Sequence, residues 1–483
     1  MSIRKSLAFS FLDRYSGLSI AVISSMIIAR LLTPTEIGVF SVVMVLLTLV
    51  STVRDMGTGQ YLVQEKELTT ARIRSVWAVQ LGLGFGLAAL VLLASYPVAA
   101  FYSEPRMLPI MLVVALNYAI NPFGSLTYAW LMREMQFQKI ALMRFMSALG
   151  GALVAVALAW NGHGPISLAY GSLTSTVVNA LVAIAYRPAN FPWLPGIREI
   201  RRVLSFGSKL TVSALVTALS ASAAELFIAK LQDLTSAGYY SRSNGLVQMF
   251  SRLFVDAVGS VCLPWFSQKS RDKADVGEPF VKATAYVTAF GWSFCLVVVF
   301  QAHSIIRVLY GDQWDAAIDL TRLLAVAMLF STSSSLCQTA LLSVGAVGVI
   351  ARLAIVNATL TVLLIGFGSM FGLIGVGIAV VIAQSIAAIL LLRETLRQLH
   401  VSFKSLLRAF RLSAVTACMT AIGPAMLYVY FGVQFGNSAM LLIFCVATAA
   451  PAFFAAIILL RHPFREELAP LLEKVMSRLK GRA

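Results

Sequence analysis

The sequence predicts an all-α integral membrane protein of about fourteen transmembrane helices. Three observations predict it. Hydrophobic residues fill 59% of the 483 positions and charged residues 12%, against about 25% charged in an ordinary soluble domain. The apolar residues come in runs of about twenty, the length that crosses roughly 30 Å of hydrocarbon as a helix. The strict alternation of a membrane β-barrel is absent, and inside lipid only a helix or a closed barrel satisfies its own backbone.

The expected spans are 9–32, 37–59, 75–97, 108–131, 140–160, 164–186 and 208–231, then 238–266, 283–303, 318–343, 347–370, 372–394, 409–431 and 438–460. The first, seventh and eighth carry charges inside them. The N-terminus reads as an uncleaved first helix, since no cleavage site follows its apolar stretch. The segment 197–204 reads as short, basic and interfacial. In 463–480, Leu468, Leu471, Leu472, Val475, Met476 and Leu479 share one helical face, which suits a tail lying on the inner leaflet.

Orientation follows from the basic residues. With the N-terminus placed inside, every Lys and Arg of the 38 falls on the inner side except Arg30, Arg106, Lys230, Arg242, Arg252, Arg307 and Arg322. Both termini are therefore expected in the cytoplasm, with the chain in a bacterial inner membrane. The net charge of +17 sits at the ends of apolar segments, with no polar domain to carry it. A nucleic-acid partner is excluded on that ground.

A weak internal repeat divides the chain. Shifted by 200 positions, Ile28-Ala29-Arg30-Leu31 falls on Ile228-Ala229-Lys230-Leu231, Thr35 on Thr235, Gly38 on Gly238 and Ser41 on Ser241. With small changes of offset, Phe101-Tyr102 falls on Leu309-Tyr310 and Gly164 on Gly372. The expected organisation is an N-terminal six-helix bundle over 1–190 and a second over 191–400. An extra helix pair follows over 401–462, then an amphipathic tail over 463–483. Six is even, so the two repeats run parallel, a duplication typical of transporters.

A charge near the bilayer centre costs at least ~2.5–3.5 kcal/mol on insertion scales, so buried charges are candidates for function. They concentrate in the first two helices of each repeat. Asn244, Gln248, Arg252, Asp256 and Ser260 recur every four residues and form one slowly winding stripe. Glu225 lies in the seventh span, Arg54 and Asp55 at the end of the second, and Asp13 and Arg14 in the first. The simplest arrangement sets these four helices around a water-filled cavity. Arg14, Arg54, Arg252, Asn244 and Gln248 are then candidates to bind substrate. Asp13, Asp55, Glu225 and Asp256 are candidates for ion pairing or coupling. The plainer alternative for Arg252 and Asp256 is an i,i+4 ion pair within one helix.

Nothing points to an enzyme, a cofactor or a metal. The histidines His163, His303, His400 and His462 are scattered, and no P-loop, HExxH or GxSxG occurs. The five cysteines lie in apolar segments without metal-like spacing. Gly82-Leu-Gly84-Phe-Gly86 reads as a site of close helix packing.

Several segments resemble a known family. They are Leu31-Leu32-Thr33-Pro34-Thr35-Glu36-Ile37-Gly38, the loop Arg54-Asp55-Met56-Gly57-Thr58-Gly59, Phe101-Tyr102-Ser103-Glu104-Pro105, Arg133-Glu134-Met135-Gln136-Phe137, Leu263-Pro264 and Tyr310-Gly311-Asp312-Gln313-Trp314. Their order and spacing resemble polysaccharide exporters and O-antigen-type flippases of the multidrug/oligosaccharidyl-lipid/polysaccharide (MOP) superfamily. The nearest branch exports colanic-acid-like and succinoglycan-like exopolysaccharide. The resemblance implies two six-helix bundles in a V-shaped, MATE-like arrangement. It implies a flippase that carries an undecaprenyl-diphosphate-linked oligosaccharide to the outer leaflet by alternating access. Cationic cavity residues of that superfamily would correspond here to Arg14, Arg54 and Arg252. The implied partners are the lipid-linked oligosaccharide, membrane lipid and, beyond them, a polysaccharide polymerase or export machinery. The rival readings are a MATE-like drug/cation antiporter and a flippase for a lipid-linked peptidoglycan precursor.

Overall fold

The computed structural model describes residues 3–55, 57–65, 67–189, 191–272, 274–431 and 438–466, and among them there is no strand. The side chains at 3–15, 55, 206–210, 212–213, 252–253 and 431 lie outside that description, as does the amphipathic tail beyond Glu466. In chain order the helices are α1 (Ile3–Leu31), α2 (Pro34–Asp55), α3 (Thr58–Gln64), α4 (Thr70–Phe101), α5 (Met107–Arg133) and α6 (Phe137–Trp160). There follow α7 (Ile166–Ala185), α8 (Ile200–Leu231), α9 (Leu234–Phe250), α10 (Asp256–Arg271), α11 (Gly277–Leu309) and α12 (Ile318–Ser333). The last five are α13 (Cys337–Ser343), α14 (Val347–Gly368), α15 (Gly372–Gln398), α16 (Phe403–Phe431) and α17 (Ser438–Leu459).

Among the described residues, eleven stretches are long and apolar enough to cross a membrane, and one of them, Val347–Gln398, holds both α14 and α15. The rod α9–α10 is not among them because it carries the polar residues singled out above, and α1 is not because only Ser16–Leu31 of it is described with its side chains, an apolar stretch shorter than a span. Counting them brings the spans to the fourteen expected. The chain is a multi-pass membrane protein.

Three local expectations change. The stretch read as a loop after Arg54 contains the short helix α3. The segment 197–204 is not separate: it runs into the 32-residue α8, with Val203 buried against Trp77. The span expected over 318–343 is broken into α12 and α13.

The described residues divide into two compact units after Gly238. In the first, α5 packs on α4 and α7, α6 on α7 and α1, and α8 on α2 and α4. Gly84 lets α4 and α5 touch: a Cβ there would stand 2.7 Å from both Pro122 Cγ and Tyr118 O. Gly82 and Gly86 have open space at the same position. Only the middle glycine of the trio serves packing.

The first turns of α2 and α9 also meet within this unit. Thr35 Oγ1 lies 2.8 Å from Thr235 Oγ1. A Cβ on Gly38 would overlap the carbonyl of Leu234, and one on Gly238 would overlap that of Pro34. These are the residues paired by the 200-residue repeat, so each touches its own equivalent in a local two-fold arrangement.

In the second unit, α11 is the central helix, packed by α12, α16 and α17, while α12 and α14 pack on α15. Phe250 stacks on Phe294 (ring centroids 4.8 Å apart) and Phe254 leans on Phe290 (4.7 Å). Beyond α17 the chain folds back onto α11. Phe464 packs on Tyr286 and Phe290, and Lys282 Nζ pairs with Glu466 Oε2 at 2.6 Å. His462 is 1% exposed; the Phe464 N–H donates to its Nδ1 (3.2 Å), and its Nε2 stands 3.4 Å from Ser413 Oγ.

A nitrogen that accepts must keep its lone pair, so this site holds the neutral ring. Burial pushes the His462 pKa down to about 4 from 6.5. As pH falls, the unfolded chain takes its proton near 6.5 and the folded chain only near 4. The stability held by neutral His462 is therefore complete above 6.5 and drains between 6.5 and 4, by at most about 3 kcal/mol. Between pH 7 and 5 the melting midpoint of the detergent-solubilised chain should fall further than that of His462→Asn. Equal falls would show that the ring is not held neutral.

Candidate functional site

The site begins where α2 ends. Gly57 takes a left-handed conformation (φ 61°), which a side chain would strain, and this turns the chain from α2 into α3. Tyr61 and Leu62 on α3 are buried with Trp77, Leu126 and Ala129, which anchors the short helix onto α4 and α5. Arg133, at the end of α5, donates from Nη1 to the carbonyls of Leu62 (2.8 Å) and Glu65 (2.5 Å). It thereby satisfies orphan carbonyls at the end of α3 with a cation, where the helix dipole favours one. The Glu65 carboxylate in turn meets Arg72 (3.5 Å) and Arg202 (3.2 Å).

This bracing leaves a cavity of about 460 Å³ in the first unit, walled by the end of α2 and by α3, α4 and α5. The volume falls in the range of about 300–1,000 Å³ usual for small-molecule sites. Arg54 is half-buried in its wall, with its guanidinium carbon 5.8 Å from the centroid of the Tyr118 ring. The Tyr118 hydroxyl donates to Leu47 O at 2.5 Å and so holds the ring under the cation. Gln80 lines the cavity from α4, and its Nε2 donates to Thr58 Oγ1 on α3 (3.3 Å). Asn121, Ser125 and Tyr128 line it from α5, and Arg144 of α6 donates to the Tyr128 hydroxyl.

Among the described side chains, Arg54 is the one expected binding residue that lines this cavity. Asn244 and Gln248 lie on α9, half-buried and exposed respectively, and Asp256 is exposed at the start of α10. Between them Ser251–Val255 forms a π turn. A helix advances about 100° per residue, and a π turn holds one extra residue. Without it, Asp256 would sit about 80° around the helix from Gln248; with it, the offset shrinks to about 20°. The stripe is straighter than regular spacing allows, and Gln248, Asp256 and Ser260 are all exposed. Glu225 is buried on α8 in the first unit. The side chains of Arg14, Asp13, Asp55 and Arg252 lie outside the described residues.

Reading only the first two helices of each repeat passed over Gln80, Asn121, Ser125 and Tyr128. Their signal was a polar residue inside an apolar run: Gln80 amid Val79 and Leu81, Asn121 just before Pro122.

A family model described as a polysaccharide biosynthesis protein matches residues 27–319, more than half of the chain. The chain belongs to this family. Its relatives include the lipopolysaccharide biosynthesis protein WzxC of Escherichia coli, 22% identical over 381 residues, which span 77% of this chain and 76% of that one. They also include the succinoglycan biosynthesis transport protein ExoT of Rhizobium meliloti, 24% identical over 375 residues, 77% of this chain and 75% of that one. Among solved structures, the lipid II flippase MurJ in an inward closed conformation matches with a TM-score of 0.78 at 16% identity, covering 97% of this chain and all of that one. An inward-facing multidrug resistance MATE family transporter of the MOP superfamily matches with a TM-score of 0.63, also at 16% identity, covering 80% of this chain and 98% of that one. At such identities the likeness shows the fold, and it is the MOP fold that the resemblance implied.

Proposed function

We propose that this family member is a flippase. It moves an undecaprenyl-diphosphate-linked oligosaccharide from the cytoplasmic to the outer leaflet of a bacterial inner membrane, by alternating access, for exopolysaccharide or O-antigen synthesis. The observation that carries the reading is Arg54. It places a half-buried cation in the wall of a cavity inside a helical membrane bundle, where an anionic ligand can meet it. A diphosphate is such an anion, and a guanidinium matches its oxygens two at a time.

In this reading Arg14 and Arg252 are further cationic contacts, and Asn244 and Gln248 bind along the exposed face of α9. Asp13, Asp55, Glu225 and Asp256 balance these cations or carry coupling protons. Both termini lie in the cytoplasm, and an inside-negative potential favours outward movement of the anion by about 2.3 kcal/mol per charge per 100 mV. Polysaccharide polymerase or export machinery receives the cargo on the far side.

The test is mass spectrometry of undecaprenyl-diphosphate species from a strain lacking this chain. A completed oligosaccharide unit should accumulate while surface polymer disappears. Intact polymer without accumulation would overturn the reading and favour a drug/cation antiporter.

A further inference from the structure

The cavity beside Arg54 holds more hydrogen-bonding capacity than a diphosphate can use. A diphosphate only accepts, whereas the polar side chains of the wall other than Arg54 are neutral and also accept. Asn121 is half-buried, and among the described residues its side chain makes no hydrogen bond, so two donors and a carbonyl stand unused. Ser125 lies one turn further along α5, on the same face, and its hydroxyl is occupied only by its own helix, at Pro122 O (3.3 Å). Gln80 faces the cavity from α4, 5% exposed, with its amide oriented by Thr58 and its Oε1 without a partner among the described residues. The aromatic ring of Tyr128 completes that side.

Paired amides and hydroxyls beside one aromatic ring suit a ligand whose neighbouring hydroxyls donate and accept at once, with a weakly apolar ring face. A carbohydrate has that chemistry; a phosphate, a lipid chain or an organic cation does not. We infer that the cavity between α3, α4 and α5 is a glycan-recognition pocket in which Asn121 and Gln80 read sugar hydroxyls, while Arg54 at its edge holds the diphosphate. The inference rests on the flippase reading and adds where the sugar is recognised and by which residues.

The test uses the full chain in lipid nanodiscs and two probes. One is undecaprenyl diphosphate without sugar. The other is the lipid-linked oligosaccharide fraction extracted from the strain lacking this chain. Asn121→Leu and Gln80→Met keep side-chain volume and remove the polar groups. Each should weaken binding of the sugar-bearing lipid about tenfold, the loss of one or two neutral hydrogen bonds. Binding of the bare diphosphate lipid should be unchanged in the same samples, which also shows that the variants are folded. If both variants keep the native ratio of the two affinities, or lose both probes together, the glycan pocket is overturned and the flippase reading stands. If the native chain binds neither probe, the flippase reading itself fails and the pocket falls with it.

Discussion

Gly38→Val is expected to leave little folded protein in the membrane. A Cβ at Gly38 would overlap the Leu234 carbonyl, and that carbonyl is backbone, which cannot swing aside as a flexible side chain can. The first turns of α2 and α9 would have to separate and give up the Thr35–Thr235 hydrogen bond. Overpacking of this kind costs about 1–3 kcal/mol for a single added group and more where backbone must move, so a loss of several kcal/mol is expected. Gly82→Ala is the matched control. That glycine lies within α4 with open space at its Cβ, so alanine there should be neutral or add up to about 1 kcal/mol. Fluorescence-detected size exclusion with a thermal ramp would read both. A Gly38→Val chain that melts like the native one would show that the contact is slack.

Arg54→Ala should cut export about tenfold or more while leaving the chain folded. The guanidinium lies over a tyrosine ring at a cavity edge rather than deep among core side chains, so its removal opens no large void. It removes one or two charge-assisted hydrogen bonds to the cargo, each about 1.5–3 kcal/mol, which corresponds to at least a tenfold loss of affinity. Surface polymer should fall by about that factor and the lipid-linked unit should accumulate. Arg54→Lys keeps the charge but not the planar fork, and should recover only part of the activity. Full activity of Arg54→Ala, measured as surface polymer in a deletion strain carrying the variant, would remove the diphosphate role from this residue.

Much of this molecule was legible in one dimension. Hydrocarbon imposes length and apolarity on each span separately, so α4, α5, α11 and α17 could be placed without knowing their neighbours. The repeat could be read because duplication copies sequence, and it paired Thr35 with Thr235 and Gly38 with Gly238 before their contact was known. Among the site residues, Arg54 stood out because a cation in an apolar chain is expensive wherever it packs.

Other features depended on packing. The three glycines of α4 are alike in sequence, and only the approach of Pro122 and Tyr118 separates Gly84 from the other two. The helix α3 is too short to announce itself; it exists because Arg133 caps it and Trp77 and Leu126 bury its apolar face. The π turn at Ser251–Val255 realigned the stripe on α9 and α10 by a rotation that regular spacing does not contain.

The sequence by itself determined that this is a helical membrane protein of the polysaccharide biosynthesis family, with a duplicated architecture and cations near the start of each repeat. The membrane architecture follows from composition, period and copied residues, each a sum over local positions, and the family from motifs that keep their order along the chain. Only the tertiary structure decided that Gln80, Asn121, Ser125 and Tyr128 share one cavity with Arg54. A polar residue in a membrane helix can face lipid, a neighbour or a cavity at the same position along the chain, and the helix packed against it settles which.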